Sequence, residues 1–168
     1  ERFGDPGILI RRALPLSRGQ TNGRTALVRH HTHMPLPLDL ADDVDELSVL
    51  ASHPDDIAAL VTALLGYDRV VTSAMHVMIV CHSYGIPCAL VTFEGMEDSV
   101  HGSGIKYEDY ALGVGITGLR GPRVVSLDLP RAALDDATFE ITLPESLLDD
   151  VQCALAEASD RLTQRAAA

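Results

Sequence analysis

Arg69-Val70-Val71-Thr72-Ser73-Ala74-Met75-His76-Val77-Met78-Ile79-Val80-Cys81-His82-Ser83-Tyr84-Gly85-Ile86-Pro87 decides the fold, because it reads as a strand running straight into a helix. Arg69 to Thr72 reads as a short strand, with β-branched residues at Val70, Val71 and Thr72. Ser73 to Tyr84 carries the helix, and Gly85 closes it. Met75, Val77, Met78, Ile79, Val80 and Cys81 leave that helix no broad polar side, which predicts a sheet against one flank and further protein against the other. Either Ser73 or Thr72 is the expected N-cap, its hydroxyl accepting from a first-turn amide, and His76 then falls at the N3 position.

Working outward, Thr25 to His31 reads as a strand, Asp39 to Glu46 as an acidic loop and Leu47 to Leu50 as a short strand. Pro54 to Leu65 has Pro at a helix start, Asp55 and Asp56 in the first turn, and Gly66 at the stop. Pro87 to Thr92 is the next strand, Gly95 to Gly104 a polar loop, Lys106 to Leu112 a short helix, and Arg123 to Leu127 a strand. Pro144 opens a last amphipathic helix through Leu147, Leu148, Val151, Leu155 and Leu162. Residues 4–23 are rich in turn formers around Ile8-Leu9-Ile10. Strands alternating with helices predict an α/β fold: a Rossmann-like doubly wound parallel sheet with helices on both faces and ligands at the carboxyl ends of its strands. Residues 1–24 are expected to lead into the domain as a linker, and 25–168 to form the domain itself.

The chain has 168 residues, 46% of them hydrophobic and 22% charged, with a net charge of −11. Those are globular values, and the size is that of one domain. The first 29 residues hold six Arg against Glu1 and Asp5; the acids lie almost entirely beyond them. Most of such a surface would repel a phosphodiester backbone, so nucleic-acid binding is not expected, and the basic opening reads as a linker, a contact for an acidic surface or a solvated segment. The longest nearly apolar run, Val70 to Cys81, is shorter than the ~20 residues of a membrane span. Cys81, Cys88 and Cys153 have no C-x-x-C spacing; Cys81 and Cys153 read as buried free thiols, and the compartment as reducing and cytoplasmic. Because the sequence starts on Glu1, it is expected to be a piece of a longer chain.

Three segments have residues suited to chemistry. At Thr72-Ser73-Ala74-Met75-His76, first-turn amides and the positive end of a helix dipole favour an anion, and the imidazole adds a group titrating near neutrality. His101-Gly102-Ser103-Gly104-Ile105-Lys106 combines an amide nest with the only lysine of the chain. In His30-His31-Thr32-His33, a strand would put His31 and His33 on one face as a pair of metal ligands, although spacing fixes no third ligand; no metal site is assigned. His82 reads as a satisfied core histidine. No P-loop, G-x-G-x-x-G, G-x-S-x-G or H-E-x-x-H is present.

The stretch Ser73-Ala74-Met75-His76 through Gly85-Ile86-Pro87 resembles the S-x-x-H-G-x-I-x-A-x-x-x-G-I-P region of polysaccharide pyruvyl transferases. Lys106-Tyr107-Glu108-Asp109-Tyr110 is similar to that family's K-x-x-D-Y element, and Gly4-Asp5-Pro6-Gly7 to its G-D-P-[AG] segment. The resemblance covers most of residues 4–115. It implies the C-terminal, donor-binding half of a GT-B-type two-domain enzyme whose N-terminal half is missing here. The activity implied is transfer of pyruvate as a ketal from phosphoenolpyruvate to a sugar or lipid-linked saccharide of a cell-envelope polysaccharide or exopolysaccharide, without a cofactor. His76 is then the catalytic acid/base, with Thr72, Ser73, His101, Gly102, Ser103, Gly104 and Lys106 as donor contacts. Val77 stands where the family has Gly, which would narrow the pocket, and Ala74 where some members have Arg. The alternatives are the donor half of a nucleotide-sugar glycosyltransferase, a non-catalytic binding module of the same fold and, more distantly, a metal hydrolase built on His31 and His33.

Overall fold

The computed structural model describes residues 5–100, 104–117, 119, 121–128 and 140–166. Five strands form one sheet: β1 (Thr25–Val28), β2 (Val44–Leu47), β3 (Arg69–Thr72), β4 (Cys88–Phe93) and β5 (Arg123–Val125). Their order is β2-β1-β3-β4-β5 and every neighbouring pair is parallel. Val28, at the end of β1, lies level with Leu47 on one side and Thr72 on the other. The helices are α1 (Ile10–Ala13), entered through a 3-10 turn at Pro6–Leu9, α2 (Pro54–Leu65), α3 (Met75–Tyr84), α4 (Ile105–Val114) and α5 (Glu145–Ala166). This is the expected α/β, Rossmann-like arrangement, and β3 and α2 have the bounds read from the sequence.

The two faces of the sheet are covered differently. Ala26, Val28, Val70, Cys88 and Leu90 face a core completed by buried side chains of α2, α3, α4 and α5. Leu27, Val71, Ala89, Val91 and Phe93 face the other way, against Leu36, Leu38, Leu40, Met96 and Leu127. Helices were expected on both faces; each of α2 to α5 buries its apolar residues on the first. An extended segment with leucine at every second position, 36, 38 and 40, covers the second without any helical period.

β2 also departs from the reading, because the strand is Val44–Leu47 and not Leu47 to Leu50. Its two central residues are acids, which read as loop. Each meets an arginine of the β1 region: Arg24 bonds Asp45, and Arg29 bonds Glu46 through Nε and Nη2 at 2.7 and 2.9 Å. An edge strand carrying charges is protected from pairing with other chains.

α3 is enclosed as expected, and residues 6–14 provide its second cover. Ile8 is fully buried, Ser83 Oγ donates to Ile8 O at 2.6 Å, and Tyr84 Oη donates to Leu14 O at 2.6 Å. The basic opening meets acids of its own chain. Arg11 donates to Ser83 O, Leu143 O and Glu145, and Arg12 to Glu145, Asp149 and Gln152, all but the first at the start of α5. In α5 only the first half is packed: Leu148 and Val151 are buried, whereas Leu155, Leu162 and the Cys153 thiol, expected to be buried, are exposed. Among the described residues no helix is long and apolar enough to cross a membrane.

Gly85 ends α3 in the left-handed region at φ 66°, and a Cβ there would stand 2.8 Å from Thr142 Oγ1. Gly85→Ala should lower unfolding stability by about 1–2 kcal/mol from the backbone alone, more if Thr142 cannot move; an unchanged urea midpoint would contradict this. His82 is fully buried with Nδ1 2.9 Å from Tyr110 Oη, and desolvation pushes its pKa from 6.5 down to about 4. The unfolded chain therefore binds the extra proton first, so stability present above about pH 6.5 is lost as pH falls toward about 4, by about 3 kcal/mol in all. An NMR titration of the His82 ring at the ordinary histidine value would refute the assignment.

Candidate functional site

After β1 the chain turns aside toward β2, and after β3 it turns the other way toward β4. Loops that part in this manner leave a crevice at the carboxyl ends of the two strands, the usual ligand position in such sheets. Here it is a cleft of ≈ 440 Å³. His30 and His31 line it from the β1 side, Ala74, Met75 and His76 from the start of α3, and Lys106 from the first turn of α4, with Val49 and Leu50 as an apolar wall.

The junction that supplies His76 is built differently from the expectation. The N-cap of α3 is Ala74, whose side chain makes no capping bond, so His76 stands at N2 and not N3. The two hydroxyls expected at the cap act across the sheet. Thr72 Oγ1 donates to Val28 O at 2.7 Å and accepts from the Ala74 amide at 3.0 Å. Ser73 Oγ accepts from the His30 amide at 2.8 Å and lies 2.8 Å from His33 Nδ1. Both residues are buried, so they brace the β1 and β3 loops against each other. Ala74 O takes the amides of Val77 and Met78, leaving those of Met75 and His76 without a protein acceptor among the described residues. Val77 is buried in the core and does not line the cleft, so the expected narrowing is absent.

The His76 ring is 85% exposed, with Nε2 4.0 Å from Asp5 Oδ2. Lys106 lies over the Tyr107 ring, 5.0 Å from its centroid, and partial burial lowers its pKa. His30 stacks at a tilt on His31 with centroids 4.2 Å apart. Its pKa is lowered by burial first, then by His31 and by Lys106. A second hollow of ≈ 330 Å³ shares Met75 and Lys106 with the cleft and is bounded by Asp5, Pro6, Asp109 and Tyr110. Gly104, the residue before α4 at φ 86°, lines a third hollow with Ser73, Glu97 and Asp98. His101, Gly102 and Ser103 lie outside the described residues.

Comparison with family models, with curated proteins and with solved structures gives no match.

What the cleft can do follows from its lining. Imidazoles on two sides, an ammonium group and two open amides gather hydrogen-bond donors and positive charge in a chain of net charge −11. That suits a small, multiply charged anion. His31 and His33 do not form a metal pair: they occupy a 3-10 turn rather than a strand, and His33 is fully buried with both ring nitrogens bonded. Among the described residues no group of three or more His, Cys, Asp or Glu is placed to hold a metal ion. A single strand from Thr25 to His31 hides the part that His30 and His31 play in the cleft. Ending β1 at Val28 makes them the first turn past a strand end, where a ligand would meet them.

Replacing Lys106 by Met should raise the pKa of His30, since one of the charges holding it down disappears. A His30 titration unchanged by that substitution would show that the two groups do not share the cleft.

Proposed function

We propose that this domain binds phosphoenolpyruvate in the cleft as the donor half of a polysaccharide pyruvyl transferase. The supporting observation is convergence. The three stretches resembling that family are far apart in sequence, yet Asp5 and Pro6 of the first, Met75 and His76 of the second, and Lys106, Asp109 and Tyr110 of the third surround two joined hollows.

In this reading the donor's phosphate and carboxylate meet Lys106, His30, His31 and the open amides of Met75 and His76. His76, exposed to the cleft beside Asp5, moves protons. Two sugar hydroxyls add to the donor's central carbon as its bond to the phosphate oxygen breaks. One hydroxyl proton ends on the methylene carbon, which becomes methyl, and the other leaves with inorganic phosphate. The acceptor, a sugar or lipid-linked saccharide of a cell-envelope polysaccharide or exopolysaccharide, would be presented by the N-terminal half of a GT-B-type enzyme in the cytoplasm.

Calorimetric titration of the chain with phosphoenolpyruvate tests the reading. Binding is expected, and Lys106→Ala and His76→Ala should each weaken it by roughly ten- to a hundredfold, the loss of a charge-assisted contact, with little change in thermal midpoint. A chain that binds nucleotide sugars and ignores phosphoenolpyruvate would be a glycosyltransferase donor half instead.

A further inference from the structure

His33 lies behind the cleft and is not among its lining residues, but its bonds reach all three loops that shape it. Ser99 Oγ donates to Met96 O, a carbonyl that can only accept. That commits the single proton of the Ser99 hydroxyl, so this oxygen accepts at 2.6 Å from an N–H at His33 Nε2. A neutral ring protonated at Nε2 has a lone pair at Nδ1, where it accepts the Ser73 hydroxyl proton at 2.8 Å. Ser73 Oγ in turn accepts from the His30 amide. The directions form one consistent chain: His30 N–H to Ser73, Ser73 O–H to His33, His33 Nε2–H to Ser99, Ser99 O–H to Met96 O.

We propose that neutral His33 is a positioning residue of the cleft, fixing the His30 backbone through Ser73, and that its protonation releases that backbone and ends anion binding on the acid side. With a proton on Nδ1, the Ser73 hydroxyl hydrogen loses its acceptor inside a residue only 2% exposed. The new charge would also face cations. From its own turn come His30, with ring centroids 6.1 Å away, and His31; from the end of β1 comes Arg29, which donates to His33 O and is itself paired with Glu46 of β2. β3 and β4 present Ser73, the edge-on Phe93 ring at 5.3 Å and Ser99, none of which carries a compensating negative charge. Burial and these neighbours place the titration below the ordinary histidine range.

The cleft's own His30 works in the opposite sense, since protonating it strengthens attraction for an anion. Phosphate affinity should therefore fall on the acid side as His33 takes up its proton, against the gain from His30. The inference rests on the anion-binding reading of the cleft, but its central step is measurable without ligand.

Nitrogen-resolved NMR of the free chain should show His33 as the Nε2–H tautomer, and the His30 amide resonance should shift with the His33 titration while the fold persists. An Nδ1–H tautomer, or a His30 amide indifferent to His33, overturns the proposal. With inorganic phosphate as probe, Ser73→Ala should bind roughly tenfold more weakly and lose the acid limb, and Ser73→Thr should restore both. An acid limb retained in Ser73→Ala also overturns it. If no phosphate binds at any pH while the His30 amide follows His33, the positioning role stands and the ligand reading of the cleft falls.

Discussion

The parallel register that sets Val28 beside Thr72 is the constraint on which the rest depends. It brings two chain segments to one level and then sends them apart, and the gap between them is the cleft. Backbone groups at such a fork lose their sheet partners as the strands end. Side chains take over that role: Thr72 Oγ1 bonds Val28 O and Ser73 Oγ bonds the His30 amide, while the Ser73 amide itself donates to Val28 O at 3.2 Å. The fork is thus braced by short polar side chains at the last paired position of β3 and the first beyond it. A bulkier or apolar residue at 72 or 73 would leave buried amides or carbonyls unmatched.

Elements governed by local rules were legible in the sequence. α2 has a His53–Asp56 capping box, Pro at its start and a stop at Gly66, and it spans Pro54–Leu65 as read. Gly85 closes α3 for the stated reason, since only glycine accepts that backbone conformation without strain. The failures share a different cause. β2 looked like loop because its acids are matched by arginines twenty or so positions earlier, and charge pairing at that distance leaves no trace in local pattern. The α3 cap was misplaced because Thr72 and Ser73 are good cap residues by type, yet their hydroxyls serve partners on β1 and its loop.

The same distinction applies to the histidines. His30, His31 and His33 sit within four positions, and composition alone gives them one role. A strand ending at Val28 and a 3-10 turn over His31–His33 divide them instead: two rings reach the cleft, and the third turns inward between Ser73 and Ser99. Only the point at which β1 stops decides this, and strand ends are the least predictable feature of such a pattern.

The chain's permanent cations and the bases of the cleft are kept apart. Of the six arginines among the first 29 residues, Arg11, Arg12, Arg24 and Arg29 are committed to acids or carbonyls of their own chain. None of them lines the cleft. Its lining is assembled from weaker bases, histidines whose charge depends on pH and one lysine whose pKa burial lowers. A permanent guanidinium would hold an anionic product as firmly as its precursor. The lysine and the histidines of the lining stand where the three motif-bearing segments converge.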